Sequence, residues 1–170
     1  MKRDDSGMRE VNYVSIDQRR VYRAELSWRD GRIAAVQETG AEDPALGYLV
    51  PGFVDAHVHI ESAMLPPAEF GRIALRHGTL AVVTDPHGIA NVLGVEGVQF
   101  MLKTARETPF TAFFGAPSCV PATPFETANG ALGCDDIEAL LQEPEVCCLS
   151  EMMNYPGVLA RDPDVMAKIG

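Results

Sequence analysis

From residue 50 onward the chain repeats one pattern, a short apolar run followed by an amphipathic stretch, and that alternation allows few folds. Strands that alternate with helices build parallel sheets, because each helix returns the chain to begin the next strand beside the last. The first unit is a strand over 52–60 and a helix over 67–76, with Pro66 and Pro67 suited to its start and Gly78 to its end. The second is a strand over 80–84, a loop carrying Asp85-Pro-His87, and a helix over about 95–106. The third is a strand over 110–115, a long loop through Ser118-Cys-Val-Pro121 and Asn129-Gly130, and a helix over 135–141. The fourth is a strand over 146–150, ending in Glu151-Met-Met-Asn154, with a helix starting near Asp162.

Before residue 50 the pattern differs. Short strands over 11–16, 22–28 and 32–37 surround a turn at Asp30-Gly31, and Tyr48-Leu49-Val50 follows. The expected organisation is a small β segment over 1–49, with residues 1 to about 10 frayed, and four βα units over 50–170. Four such units make half of an eight-stranded parallel barrel, the TIM-like (β/α)8 architecture, in which functional groups sit at the carboxyl ends of the strands. The polar residues of this chain cluster there: His57, His59, Asp85, His87, Ser118 and Glu151. With half of that architecture spent at Gly170, the chain is expected to be the front part of a longer protein.

Charge narrows the function classes. A net charge of -10 and a pI near 4.8 disfavour nucleic acid, whose binding takes clustered Lys and Arg to displace condensed counterions. A small neutral ligand fits better. No apolar run reaches the ~20 residues that cross a bilayer, and the polar start Met1-Lys-Arg-Asp-Asp-Ser6 lacks a signal peptide's apolar core, so a cytoplasmic protein without membrane contacts is expected. Cys119, Cys134, Cys147 and Cys148 show no CxxC spacing. Adjacent Cys147 and Cys148 on a strand should point to opposite faces, and buried reduced thiols are the expectation for all four.

The segment Pro51-Gly-Phe-Val-Asp-Ala-His-Val-His59 carries the chemistry. Alternate residues of a strand share a face, so His57 and His59 are placed to grip one metal ion. Two imidazoles satisfied by backbone carbonyls are the structural alternative, but beside Asp55 they would be an odd load for such a position. Neutral imidazole suits zinc, iron or manganese and leaves positions open for water. His77, just before Gly78, reads as a residue favoured by the helix dipole.

Val50-Pro-Gly-Phe-Val-Asp-Ala-His-Val-His59 resembles the first-strand signature of the amidohydrolase superfamily, metal-dependent hydrolases built on a distorted (β/α)8 barrel. The finer resemblance is to adenine deaminases of the bacterial type. It rests on Ile60-Glu-Ser-Ala-Met-Leu65, Thr84-Asp-Pro-His87, Ile89-Ala-Asn-Val-Leu-Gly94, Ser118-Cys-Val-Pro121 and Glu151-Met-Met-Asn-Tyr-Pro-Gly157, in that order. The resemblance implies a composite β-sandwich domain for the early strands. It implies hydrolysis of adenine to hypoxanthine and ammonia, in purine salvage or catabolism, by a homo-oligomer using two divalent metals, Mn or Fe favoured over Zn. His57 and His59 match the family's first-strand ligands, and Glu151 matches an acidic residue that bridges two metals. Asp85 and His87 fall in a pocket-lining motif and are candidates for a ligand or for orienting one. Glu61 is a candidate acceptor for the purine, and Ser118 a further pocket residue. The catalytic acid/base, an aspartate, is expected beyond Gly170, as are further histidine ligands.

This chain departs from the family in having Gly88 where Glu usually follows the Asp-Pro-His triplet, and Ala63 where Ser is common. Two other readings compete: a relative acting on a cyclic amide, and a truncated fragment without activity of its own. The deaminases that act on flipped bases pair HxE with PCxxC; His59-Ile60-Glu61 has the first spacing, but PCxxC is absent, so the signature as a whole is missing.

Overall fold

The computed structural model describes residues 6–170, which divide into two compact units, one running up to Pro51 and the other spanning Gly52–Gly170.

The first unit is a four-stranded sheet in the order β3-β2-β1-β4, built from β1 (Gly7–Ser15), β2 (Arg20–Arg29), β3 (Arg32–Ala41) and β4 (Tyr48–Leu49). The three long strands pair antiparallel and β4 joins β1 in parallel. Asp30 and Gly31 both take positive φ, 52° and 71°, as the tight hairpin between β2 and β3 requires. Tyr22, Ala24 and Leu26 are buried at period two along β2. Asn12, wholly buried, donates from Nδ2 to the carbonyls of Asp43 (2.7 Å) and Leu46 (3.2 Å) and accepts from the Asp43 amide (3.0 Å). Its side chain thereby holds the loop that leads into β4. Residues 7–10, expected to fray, are strand instead, because β1 stays in register with β2 out to Gly7↔Trp28. Residues 1–5 lie outside the described residues.

The second unit is an α/β fold with a parallel sheet in the order β5-β6-β7-β8: β5 (Phe53–Val58), β6 (Thr79–Thr84), β7 (Thr111–Ala116) and β8 (Val146–Leu149). Helices α1 (Pro67–Arg76), α2 (His87–Leu93), α3 (Val95–Ala105), α4 (Cys134–Leu140), α5 (Tyr155–Ala160) and α6 (Pro163–Ile169) follow the strands. On α3, Val98, Met101, Leu102 and Ala105 form a buried stripe at helical spacing, and they share one core with Val82, Ala112, Phe114 and Val146 of the sheet. Phe114 is fully buried, a placement that contributes about 1.5–3 kcal/mol. Along β7 the alternation is direct: Ala112 and Phe114 are buried, Thr111 and Phe113 exposed.

Sequence and structure agree on α1 to the residue, with Pro67 at its first position and Gly78 at φ 86° just past its end. Two helices were not expected. α2 occupies what reads as a loop, and α5 follows Asn154, whose side chain accepts from the Gly157 amide. The cysteine expectation also fails for one pair. Cys147 and Cys148 are both exposed with their sulfurs 3.7 Å apart, because β8 is irregular at that step and does not alternate faces. Cys119 is buried as expected, and Cys134 is half-buried.

Candidate metal centre

The carboxyl ends of β5, β6 and β8 each deliver ionisable side chains to one place. Parallel pairing puts those ends side by side, so residues just past each strand meet although they are far apart in sequence. His59, Asp85, His87 and Glu151 each present a donor atom, and the four atoms all lie within 4.8 Å of one another.

Each donor is held by a traceable local cause. His59 Nδ1 lies 2.9 Å from the Asp85 carbonyl oxygen, which can only accept. Nδ1 therefore carries the proton, and Nε2 keeps a free lone pair. That Nε2 lies 3.6 Å from Glu151 Oε1, and His57 Nε2 lies 3.7 Å from the same oxygen. The two histidine rings meet edge to face at 4.9 Å, the shared face that alternate strand residues have, and His59 meets His87 similarly at 4.6 Å. His57 is the most exposed of the three and lies outside the four-atom group.

Asp85 is almost fully buried. Its Oδ1 accepts from the His87 amide at 3.2 Å, and its own amide donates to the Val58 carbonyl at 3.1 Å. Its Oδ2 lies 3.1 Å from His87 Nδ1, yet the pair lacks hydrogen-bond alignment and both atoms are buried without a hydrogen-bond partner. Buried polar atoms left in this state are costly unless another group completes them. The Ser118 hydroxyl, also buried, donates to the Glu151 carbonyl oxygen at 2.5 Å. Ser118 thus anchors the backbone that carries Glu151, and its hydroxyl is engaged there.

Glu61 sits in the 3-10 turn Ile60–Ala63, and its Oε1 accepts from the Gly88 amide at 2.8 Å. Its Oε2 is buried without a partner. A Cβ at position 88 would stand 2.9 Å from Glu61 Cγ and Oε1, so the glycine leaves room for this carboxylate. Glu61 lies outside the four-atom group.

The donor set fits a divalent cation. It combines imidazole nitrogen with carboxylate oxygen, the mixture that zinc, iron and manganese accept. Donors bound to one ion at about 2.1 Å stand about 3.0–3.6 Å apart for bond angles of 90–120°. The 3.6 Å from His59 Nε2 to Glu151 Oε1 is at the wide end of that range and the 3.7 Å from His57 Nε2 just beyond it, both too long for direct hydrogen bonds.

Known proteins resemble this chain in sequence and in fold. The amidohydrolase family model matches residues 48–163. An adenine deaminase of Sulfurovum sp. (strain NBC37-1) is 53% identical over 158 residues, covering 93% of this chain and 29% of the relative. One of Salinibacter ruber is 54% identical over 156 residues, covering 92% and 28%. One of Methanosarcina mazei is 48% identical over 151 residues, covering 89% and 27%. The chain thus spans less than a third of the length of the curated relatives it matches. Among solved structures, the atrazine chlorohydrolase TrzN from Arthrobacter aurescens TC1, complexed with zinc, superposes with a TM-score of 0.52 at 13% identity, covering 82% of this chain and 44% of that one. That likeness speaks to the fold alone.

Proposed function

The chain belongs to the amidohydrolase family, and from that premise we propose that it is part of a metal-dependent enzyme hydrolysing adenine to hypoxanthine and ammonia. The observation that carries the reading is the convergence of His59, Asp85, His87 and Glu151 at the strand ends, in a chain about half identical to adenine deaminases. In this reading the parallel sheet is the first half of a distorted (β/α)8 barrel, and residues up to Pro51 contribute to a β-sandwich. The remaining ligands and the acid/base aspartate come from the part of the relatives' length that these residues do not span. The enzyme works in the cytoplasm as a homo-oligomer.

His57, His59 and Glu151 would hold the metals, with Asp85 and His87 beside them as ligand or support. Two divalent cations, Mn or Fe by family resemblance, would supply Lewis acidity that brings the pKa of water from about 15.7 towards ~7. The residues of this chain act around that chemistry. The Asp85 carbonyl keeps His59 in the tautomer that offers Nε2. Ser118 fixes the Glu151 backbone, so its carboxylate faces both imidazoles. Glu61, held by the Gly88 amide through Oε1, would be the acceptor for a purine N–H.

The test uses protein expressed from the complete coding sequence, loaded with Mn, Fe or Zn. Adenine should give hypoxanthine and ammonia in equal amounts, the ring of dihydroorotate should not be opened, and Glu151→Gln should abolish the deamination. Turnover of the cyclic amide instead, or of neither compound by a folded metal-loaded protein, sinks the reading.

A further inference from the structure

The loop that joins β7 to α4 carries Ser118 and lies against the segment that carries Glu151. Two contacts tie these stretches together. The Ser118 hydroxyl donates to the Glu151 carbonyl at 2.5 Å, and the Asn154 amide donates to Cys119 Sγ at 3.3 Å. Where Glu151 stands therefore depends on where the first residues of the loop are held.

That loop is closed at its base. On its returning arm, the Leu132 amide donates to the Val120 carbonyl at 3.1 Å. Beside this bond Lys168 of α6 directs its ammonium inward: Nζ donates to the Leu132 carbonyl at 2.8 Å and to the Ser118 carbonyl at 3.3 Å. One cation thus joins the outgoing arm to the returning arm. Ser118 and Leu132 are each 2% exposed, so water has little access to their carbonyls, and buried carbonyls need a donor. A lysine has three donors and no acceptor on a long flexible stem, and its usual place is in solvent. Holding it against two main-chain carbonyls orders that stem, a loss of freedom that the charge-assisted bonds must offset.

We propose that Lys168 is a positioning residue for the metal centre: it clamps the β7–α4 loop so that Ser118 holds Glu151 beside His57 and His59. Neither of its bonds reaches Glu151, so the effect passes through Ser118. The inference rests on the reading of Glu151 as a ligand.

Metal-stripped protein expressed from the complete coding sequence is titrated with Mn2+, the free ion being followed by its electron paramagnetic resonance signal. Lys168→Met keeps the stem, removes the donors and should bind Mn2+ about tenfold more weakly than the wild type. Ser118→Ala should weaken binding as well, and the double variant should be no weaker than the worse single one, because both changes release the same hold on Glu151. Lys103→Met, which removes an exposed lysine of α3, should bind as the wild type does. On adenine, Lys168→Met should lose kcat while KM stays within about twofold. Far-UV circular dichroism checks that each variant folds, and Lys168→Gln takes the place of Lys168→Met should that protein misfold. A folded variant with wild-type Mn2+ affinity overturns the clamp, as do losses from Lys168→Met and Ser118→Ala that add in the double variant. Coupled loss of metal affinity in a protein that leaves adenine intact supports the clamp and sinks the deaminase reading instead. A wild-type protein that binds none of Mn, Fe and Zn overturns both.

Discussion

Gly130→Ala should destabilise the second unit through a contact made entirely with backbone. A Cβ at position 130 would stand 2.3 Å from the Ala90 carbonyl oxygen, 2.5 Å from the Gly94 amide nitrogen and 2.7 Å from Gly94 Cα. None of these atoms can swing aside as a side chain would. The loop must therefore withdraw from α2, and it takes with it the bonds that Asn129 and Gly130 amides donate to the Asn91 carbonyl at 2.8 and 3.0 Å. Overpacking costs about 1–3 kcal/mol and each of the two lost hydrogen bonds about 0.5–1.5, giving about 2–6 kcal/mol in all. For a chain of this size that is a fall in Tm of roughly 4–24 °C. Because α2 begins at His87, divalent-metal affinity should fall as well. Thermal unfolding followed by far-UV circular dichroism reads the first effect and metal titration the second. Gly47→Ala, whose Cβ meets nothing within 4 Å, controls for loss of a glycine as such. A Gly130→Ala protein that melts within about 2 °C of the wild type would refute the close approach of this loop to α2.

Other perturbations separate the site from its supports. Asp85→Asn keeps the shape but replaces the Oδ2 that faces His87 Nδ1, and metal affinity measured by titration should fall about 10–100-fold with little change in the far-UV spectrum. Ser118→Ala leaves the Glu151 carbonyl without its 2.5 Å donor; urea unfolding should register about 1–3 kcal/mol, and metal binding should weaken with it. Phe114→Ala opens the centre of the core and should cost about 3–5 kcal/mol in the same experiment. Arg106 bonds to Glu145 and holds its carboxyl below the ordinary glutamate range, so this pair stabilises the fold above the unfolded-state pKa and the contribution is lost as pH falls through the lower folded value. Glu145→Gln should therefore lower the urea midpoint at pH 7, with the difference from wild type closing in acid and shrinking in high salt.

Punctuation decided which elements the sequence disclosed. Pro67 and Gly78 bracket α1, and the expectation matched its bounds. α2 was hidden because Pro86 and Gly88 read as breakers and no side chain caps its start. α5 was hidden by Pro156 and Gly157, although Asn154 caps it through the Gly157 amide. β1 runs four residues earlier than its apolar pattern, since ladder bonds with β2 sustain it where side chains give no signal. The shared face of His57 and His59 follows from strand period alone. The grouping of Asp85 and His87 with Glu151 depends on which strands are neighbours, information that lies in the sheet order rather than in any local run. The bulge at Cys147 left no trace in sequence either, because an inserted residue looks the same as a regular one until the partner strand is known.

Metal content is the most direct test of the central claim that the strand ends form a metal centre. Protein expressed from the complete coding sequence, prepared with Mn2+ and stripped of loosely held ions, should retain divalent metal in elemental analysis. A variant with both His59→Ala and Glu151→Gln should retain little while keeping its far-UV spectrum. Equal metal in the two proteins, or none in the wild type under any of Mn, Fe and Zn, would contradict the assignment of these residues as ligands.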